Sequence, residues 1–440
     1  MAKYHVGIDV SKHKHKACIR NLAQDSYSGV FSFDVNRQGF EKFSGTLEKF
    51  SQNKEDFVIG IEATGNYGVT LAYFLLSHGY KVVEINPYRA NQFRKAQGKK
   101  AKTDRIDARS LAALLSLENH KLLSIPDPVL DNLRELTRFR ADMVKERTAL
   151  VNQLHETLAT LYPELGQVLA NLDSPTCLAL LIAYPGPEYI SRAGEVKVAE
   201  ILAEVSRGRT GKVVAKALLE AAQNTIGVLQ RQPALAIKVS ILGQRLIALT
   251  TAIEKVEREI AKLFKKLPYD PKDFPVGTIS SLAALISEIE NIHRFSTLKQ
   301  FLSHFGWCPQ SFQTGGYNRE HPRMSHAGNK YVRRLIWMLS IVSIRIVPRY
   351  RAYFQRRVAE GKSKMHIIVA VGRKLLSVLY AILKKGIPFD PNWEVNCQFA
   401  MARHVSNGLD LHFPYQTMAQ ASSYGKITLK APSLSFRARG

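Results

Sequence analysis

Acidic side chains are scarce in this chain. Its 440 residues hold 37 aspartates and glutamates against 62 lysines and arginines, a formal net charge of +25. Such an excess suits a polyanion whose counterions are released on binding. Because the bases are spread over the whole length, an acidic protein or a small acidic metabolite explains them less well. Cysteine is scarce too: Cys18, Cys177, Cys308 and Cys397 are far apart and make no Cys-x-x-Cys pair. That argues against a zinc knuckle or a disulfide framework and fits a reducing cytoplasm. No apolar stretch reads as long enough to span a bilayer. The start Met1-Ala2-Lys3-Tyr4-His5 leads directly into a strand, so neither a membrane partner nor a secretory signal is expected. Arg207-Gly208-Arg209-Thr210-Gly211-Lys212 lacks the Gly-Lys-Ser/Thr ending of a Walker loop and reads as a solvated basic loop or a backbone grip for phosphate.

Few as they are, four acids stand out. Asp9 lies inside the apolar run Tyr4-His5-Val6-Gly7-Ile8-Asp9-Val10, and Glu62 ends Phe57-Val58-Ile59-Gly60-Ile61-Glu62. Asp104 and Asp107 follow in Lys102-Thr103-Asp104-Arg105-Ile106-Asp107-Ala108-Arg109. A carboxylate in an apolar strand is costly to bury without a cationic partner, and Mg²⁺ (or Mn²⁺) takes hard oxygen ligands while bridging phosphates. Thr103 can cap a helix beginning at Asp104, and residues three apart share a helical face, so both aspartates can point at the strand ends. Metal held by all four could stabilise the attacking and leaving oxygens of a displacement at phosphorus. Each acid alone also has a plain structural reading, as a helix N-terminal charge or a solvated strand end.

With 45% hydrophobic residues the chain can build two or three packed domains. Residues 1–125 read as a mixed α/β sheet: strands at 4–10, 16–20 and 27–33 in a meander, a helix at 37–50, a strand at 57–62, a helix at 65–79 and a strand at 81–85. A carboxylate on the first strand and another on the fourth is the ribonuclease H arrangement. A first long helix follows at 126–163, with apolar positions Leu136, Phe139, Met143, Leu150, Leu154, Leu158 and Leu161. Residues 164–233 form an inserted helical module. A coiled-coil helix at 234–268 repeats Leu242, Leu246, Leu249, Ile253, Val256, Ile260, Leu263 and Leu267 at alternating steps of four and three. The two long helices read equally as an intramolecular antiparallel pair and as a dimer contact. Residues 269–395 are helical and rich in arginine, and 396–440 form a tail.

The second chemical signal runs from Phe305-Gly306-Trp307-Cys308-Pro309 through Gln313-Thr314-Gly315-Gly316 to Arg323-Met324-Ser325-His326-Ala327-Gly328-Asn329. A hydroxyl followed by two glycines can sit on a tight turn where backbone amides approach a phosphate. Basic residues surround both signals: Arg94, Lys95, Lys99, Lys100 and Lys102 precede the acidic pair, and Arg319, Arg323, Lys330, Arg333 and Arg334 follow the turn. They are candidate phosphate contacts or a solvated basic face.

Taken in order, these blocks resemble the insertion-sequence 110 family of DEDD transposases, bridge-RNA-guided recombinases related to the Piv-type DNA invertases. Gly7-Ile8-Asp9-Val10-Ser11-Lys12, Ile61-Glu62-Ala63-Thr64-Gly65, Ile85-Asn86-Pro87, Lys102-Thr103-Asp104-Arg105-Ile106-Asp107-Ala108, Arg294-Phe295, Phe305-Gly306-Trp307-Cys308-Pro309 and Arg323 to Asn329 carry the resemblance to about residue 395. It implies a RuvC-like, ribonuclease H-like first domain with Asp9, Glu62, Asp104 and Asp107 as the metal tetrad, and a mostly helical C-terminal transposase domain. It also implies a covalent hydroxyl-DNA intermediate, a structured non-coding guide RNA pairing with donor and target DNA, and a homo-oligomer, dimer or tetramer, in a prokaryotic cytoplasm beside the nucleoid. The family usually has serine where an ungapped alignment from Pro309 puts Thr314, and Pro275-Val276-Gly277-Thr278 departs from the usual Pro-Gly-Ile-Gly turn. Two other functions stay open: a RuvC-like hydrolytic junction nuclease, and a domesticated, inactive nucleic-acid-binding protein.

Overall fold

The computed structural model describes residues 2–62, 66–96, 104–117, 122–209, 211–308, 313, 314, 317, 318, 324, 328–386, 388 and 389. Short alternating runs make the first four strands, Tyr4–Asp9 (β1), Lys14–Asn21 (β2), Ser26–Tyr27 (β3) and Phe31–Asp34 (β4). The stretch expected as one strand at 27–33 is two, both pairing antiparallel with β2. The break falls where the Ser28 hydroxyl, rather than a backbone carbonyl, accepts the Ile19 amide. Arg37–Glu48 (α1) follows, capped by Asn36, then Phe57–Glu62 (β5), Val69–Ser77 (α2), Lys81–Ile85 (β6), Pro87–Ala96 (α3) and Asp104–Leu114 (α4). β1, β5 and β6 are parallel, and the sheet order is β3-β2-β1-β5-β6, with β4 also on β2.

Both faces of this sheet are covered. Val6, Ile8, Ile59 and Ile61 point into a core with Phe40, Phe43 and Leu47 of α1 and Leu71 and Leu75 of α2. Val83 and Ile85 meet Leu111, Leu114 and Leu115 on the opposite side. There α4 lies directly on β1, because position 7 has no side chain: a Cβ at Gly7 would stand 2.3 Å from Ala108 O and 2.3 Å from Ala112 N. His15, fully buried between Phe33 and Phe40, accepts the Ser11 amide through Nδ1. Burial lowers its pKa from 6.5 to about 4.

Asp127 caps Pro128–Leu161 (α5), whose proline at the start suits a helix N-terminus. Leu165–Val168 (α6), Pro175–Ala183 (α7), Pro187–Ser206 (α8, kinked at Gly194) and Lys212–Gln223 (α9) form a helical module packed with Leu150, Leu154, Leu158 and Leu161 of α5. The Arg207-Gly208 step after α8 is left-handed and stops that helix, with the Arg207 amide donating to Glu204 O and the Gly208 amide to Ala203 O. Gln232–Phe264 (α10) then returns antiparallel along α5. Arg140 pairs with Glu257, Arg147 bonds Thr250 and Arg245 pairs with Glu146, so residue numbers rise on one helix as they fall on the other. Leu242, Leu246, Ile253 and Ile260 of the expected seam are buried. Phe139 is not: it is 53% exposed, and Leu133 and Thr137 are buried instead. The start of α5 packs on a different neighbour, which rotates the buried stripe there.

That neighbour is Ile279–Ile289 (α11), followed by Leu298–His304 (α12), Gln313–Thr314 (β7), Tyr317–Asn318 (β8), Lys330–Ile346 (α13), Pro348–Ala359 (α14) and Lys364–Lys385 (α15). The chain is thus a mixed α/β sheet followed by a mostly helical remainder. The expectation that no apolar stretch could span a bilayer needs correction: α15 and the segment Leu229–Phe264 are long and apolar enough by composition. In α15 that apolarity is used internally. Val371, Leu375, Leu376, Leu379 and Ile382 sit in one core with α11, α12 and α13.

Gly7→Ala should lower the urea-unfolding stability of the sheet domain by about 3 kcal/mol, because its methyl meets backbone rather than a movable side chain; an unchanged midpoint would contradict the close approach. His15 has a folded pKa below its unfolded value, so its contribution is complete above pH 6.5 and is lost as pH falls toward 4. His15→Phe, which keeps an aromatic ring against Phe33 and Phe40, should flatten the stability profile across that window.

Candidate nucleic-acid-processing site

Asp9 is the last residue of β1 and Glu62 the last of β5. The strands pair in register, Gly7 with Gly60 and Ile8 with Ile61, so the two acids stand level on neighbouring parallel strands, about 5 Å apart by backbone spacing. Their sidedness follows from the period of two. Gly7 faces α4, and Gly60 faces Ile85 and Leu115 on the same side. Asp9 and Glu62, two residues further on, therefore face the α4 side as well.

The direction of α4 completes the geometry. Ser116 just beyond the helix bonds His5 at 2.9 Å, while Ala108 and Ala112 touch Gly7. The helix consequently runs antiparallel to β1, and its first turn, with Asp104 and Asp107, lies over the strand ends. Asp9 and Glu62 are half-buried rather than sealed in the interior. Asp107 is paired with Arg94 of α3 at 3.5 Å, and both side chains are mostly covered. Arg94 also donates to Asn91. The side chain of Asp104, and Thr103 with its expected cap, lie outside the described residues. Among the described residues no three His, Cys, Asp or Glu side chains gather closely enough to hold a metal ion. Among the described residues, the side chains that the backbone brings to this end of the sheet include the carboxylates of Asp9, Glu62 and Asp107, the ligand type that Mg²⁺ and Mn²⁺ take.

Thr314 ends β7 and pairs with Tyr317 of β8 across Gly315-Gly316; its side chain lies outside the described residues. The two ends of this segment are pinned together. Gly328, with φ of 109°, packs so tightly that a Cβ would lie 2.6 Å from Gly306 N. Trp307 donates to Val369 O at 2.9 Å, and its ring occupies the space a Cβ on Gly372 would need. Asn329 caps α13 by accepting the Tyr331 and Val332 amides, and donates to Glu288 at 2.5 Å.

Glu288 is the polar residue that motif reading missed. It is 5% exposed at its side chain and receives both Arg138 nitrogens of α5, at 2.6 and 2.9 Å. That hydrogen bond raises the Arg138 pKa. A signal was available: Glu288 interrupts the apolar run Ile286-Ser287-Glu288-Ile289, as Asp9 interrupts its strand.

The basic candidates divide. Arg94 is engaged with Asp107, whereas Lys95 is exposed at the end of α3. Lys330 lies over the Tyr331 ring at 5.1 Å. Arg333 is half-buried and Arg334 exposed on α13. Lys99, Lys100, Lys102, Arg319 and Arg323 lie outside the described residues, as does the tail 396–440.

Comparison with known proteins finds family models over the regions that hold both sets of residues. A family model described as a transposase, of the DEDD IS110 type, matches residues 6–163, and one described as transposase IS116/IS110/IS902 family matches residues 276–355. The chain is 25% identical over 399 residues to an insertion element IS116 protein of 44.8 kDa from Streptomyces clavuligerus, covering 88% of this chain and 96% of that one. It is 25% identical over 398 residues to a pilin gene-inverting protein of Moraxella bovis, covering 89% and 98%. An insertion element IS900 protein of 42 kDa from Mycobacterium paratuberculosis is 25% identical over 341 residues, covering 75% and 84%. With the sheet domain in one matched region and the turn segment in the other, the chain belongs to the IS110 family of transposases, enzymes that act on DNA.

Proposed function

We propose that the chain is the recombinase of a mobile insertion sequence, cutting and rejoining DNA through a metal-assisted covalent hydroxyl-DNA intermediate, with an element-encoded bridge RNA choosing donor and target. The observation that supports it most is the convergence of Asp9, Glu62 and the first turn of α4 at one end of a sheet ordered β3-β2-β1-β5-β6. This order, antiparallel on one side of β1 and parallel on the other, also supports the ribonuclease H-like (RuvC-like) assignment.

Asp9, Glu62, Asp104 and Asp107 would hold the metal. When bound, it would stabilise negative charge on the scissile phosphate and on the leaving oxygen. Arg94 keeps Asp107 oriented and partly neutralised between substrates. The Thr314 hydroxyl, deprotonated, attacks phosphorus; a Thr314–phosphate ester forms as the bond to the departing strand's oxygen breaks, and that strand leaves as a hydroxyl. The reverse attack by a hydroxyl of the exchanged strand releases Thr314 and restores a phosphodiester. The linkage conserves the bond, so rejoining needs no nucleotide cofactor. The relative named for gene inversion supports recombination over hydrolysis.

Asp9→Asn and Asp104→Asn should each abolish metal-dependent strand cleavage and leave DNA binding within about threefold; parental cleavage in either variant would remove the shared metal site. For the nucleophile, Thr314→Ser should match or exceed the parent, since it keeps the hydroxyl and removes the methyl that restricts χ1. Thr314→Ala and Thr314→Val should form no adduct on a nicked substrate. Mass spectrometry of the trapped complex identifies the attached residue: Ser311 or Ser325 would overturn the assignment, and cleavage without an adduct would identify a water-using junction nuclease.

A further inference from the structure

Charge is unevenly distributed. The long helices α5, α8 and α10 interleave acids and bases, but Glu320 and Glu360 are the only acids between Asn291 and Phe389. Within that stretch the cations concentrate at α14 and its connections, with Arg345, Arg349, Arg351, Arg356, Arg357, Lys362, Lys364, Arg373 and Lys374. Helix α14 gains little from packing: Tyr350 is its one buried residue. Arg351, Arg356, Lys362, Lys364 and Arg373 are exposed. Arg356 and Arg357 meet Glu360, an exposed contact that offsets only a small part of the repulsion. Cations from two helices converge here, since Arg356 of α14 and Lys374 of α15 both approach the Tyr353 ring, at 5.7 and 5.1 Å. Two cations therefore share one aromatic side chain at the junction of α14 and α15.

We infer that α14 and the first turns of α15 form a phosphate-gripping surface for the backbone of duplex DNA, outside both the acidic site and the segment around Thr314. Guanidinium groups pair with phosphate in a bidentate way, and a face whose one carboxylate, Glu360, is outnumbered by its cations follows a backbone without reading sequence. Duplex DNA is the partner because the family acts on DNA, a choice of occupant that rests on the recombinase function proposed above. The surface would hold DNA flanking the exchange point while the strands at the centre are broken, a role that needs strength but no sequence preference.

The test uses the full chain with Arg349, Arg351, Arg356 and Arg357 changed together to Gln, and a second variant with all four changed to Lys. Affinity for a duplex of unrelated sequence is measured from low to moderate salt, without divalent metal, so that the result is independent of cleavage. The Gln variant should give a log–log salt slope shallower by about 0.9 for each lost contact, about 2 to 4 in all, while the Lys variant keeps most of the parental slope. Strand cleavage by the parental chain is assayed separately with Mg²⁺: duplex binding with the parental slope but no cleavage would sink the recombinase function and leave the surface standing. An unchanged slope in the Gln variant would overturn the inference. So would a reduced slope for a structured RNA with none for the duplex, which would make RNA the occupant. A Lys variant that loses as much as the Gln variant would overturn it as well, since the loss would then follow the fold rather than the charge.

Discussion

The backbone contact between β1 and α4 at Gly7 is the constraint on which the acidic site depends. A side chain there would hold the helix away from the sheet, and the first turn of α4 would no longer reach the ends of β1 and β5. Matching Gly60 in register with Gly7 lets the same close layer extend across the neighbouring strand. Glycine in a strand normally weakens it. Here two of them set the distance between a helix and the strand ends that carry carboxylates, so their weakness as strand formers is offset by what the close layer assembles.

Much of the sheet domain was legible because its signals are local. Strand alternation located β1, β2, β5 and β6 to within a few residues, and Asp9 and Glu62 were conspicuous because one lies inside an apolar run and the other ends one. The level placement of Asp9 and Glu62 was not legible, since register is decided by pairing between strands more than forty residues apart. Nor was the helix direction, which rests on contacts of Ser116 and Ala108 with β1. The apolar repeat in 242–267 located a long helix correctly, but a repeat states only that a stripe is buried. It does not name what buries it, which is why Phe139 was counted into a seam that the chain rotates away from.

The C-terminal half shows the same division between composition and geometry. Arginine content identified it as basic, yet motif reading placed the candidate contacts beside the two chemical signals and passed over α14, which has no motif. Burial then sorts individual residues: Arg94 is consumed by Asp107, whereas Arg351 and Arg356 of α14 are exposed. Glu288 is a second omission of the same kind. One buried carboxylate, met by Arg138 and Asn329, fixes the start of α13 against α5, and nothing in its immediate sequence resembles a motif.

Helix α5 belongs to every part of the molecule. Asp131 near its start accepts a hydrogen bond from Tyr73 on α2 at 2.6 Å, Leu133 enters the C-terminal core, and Leu150 to Leu161 enter the helical module. A helix of 34 residues is about 50 Å long and resists bending over that length. It therefore joins the two regions through one continuous element: Asp131 meets the sheet domain, and Arg134 and Arg138, one and two turns further on, grip α11 and, through Glu288, the foot of the hairpin segment. The acidic site and Thr314 are separated by some two hundred residues of sequence, yet the two regions that hold them meet on the same helix.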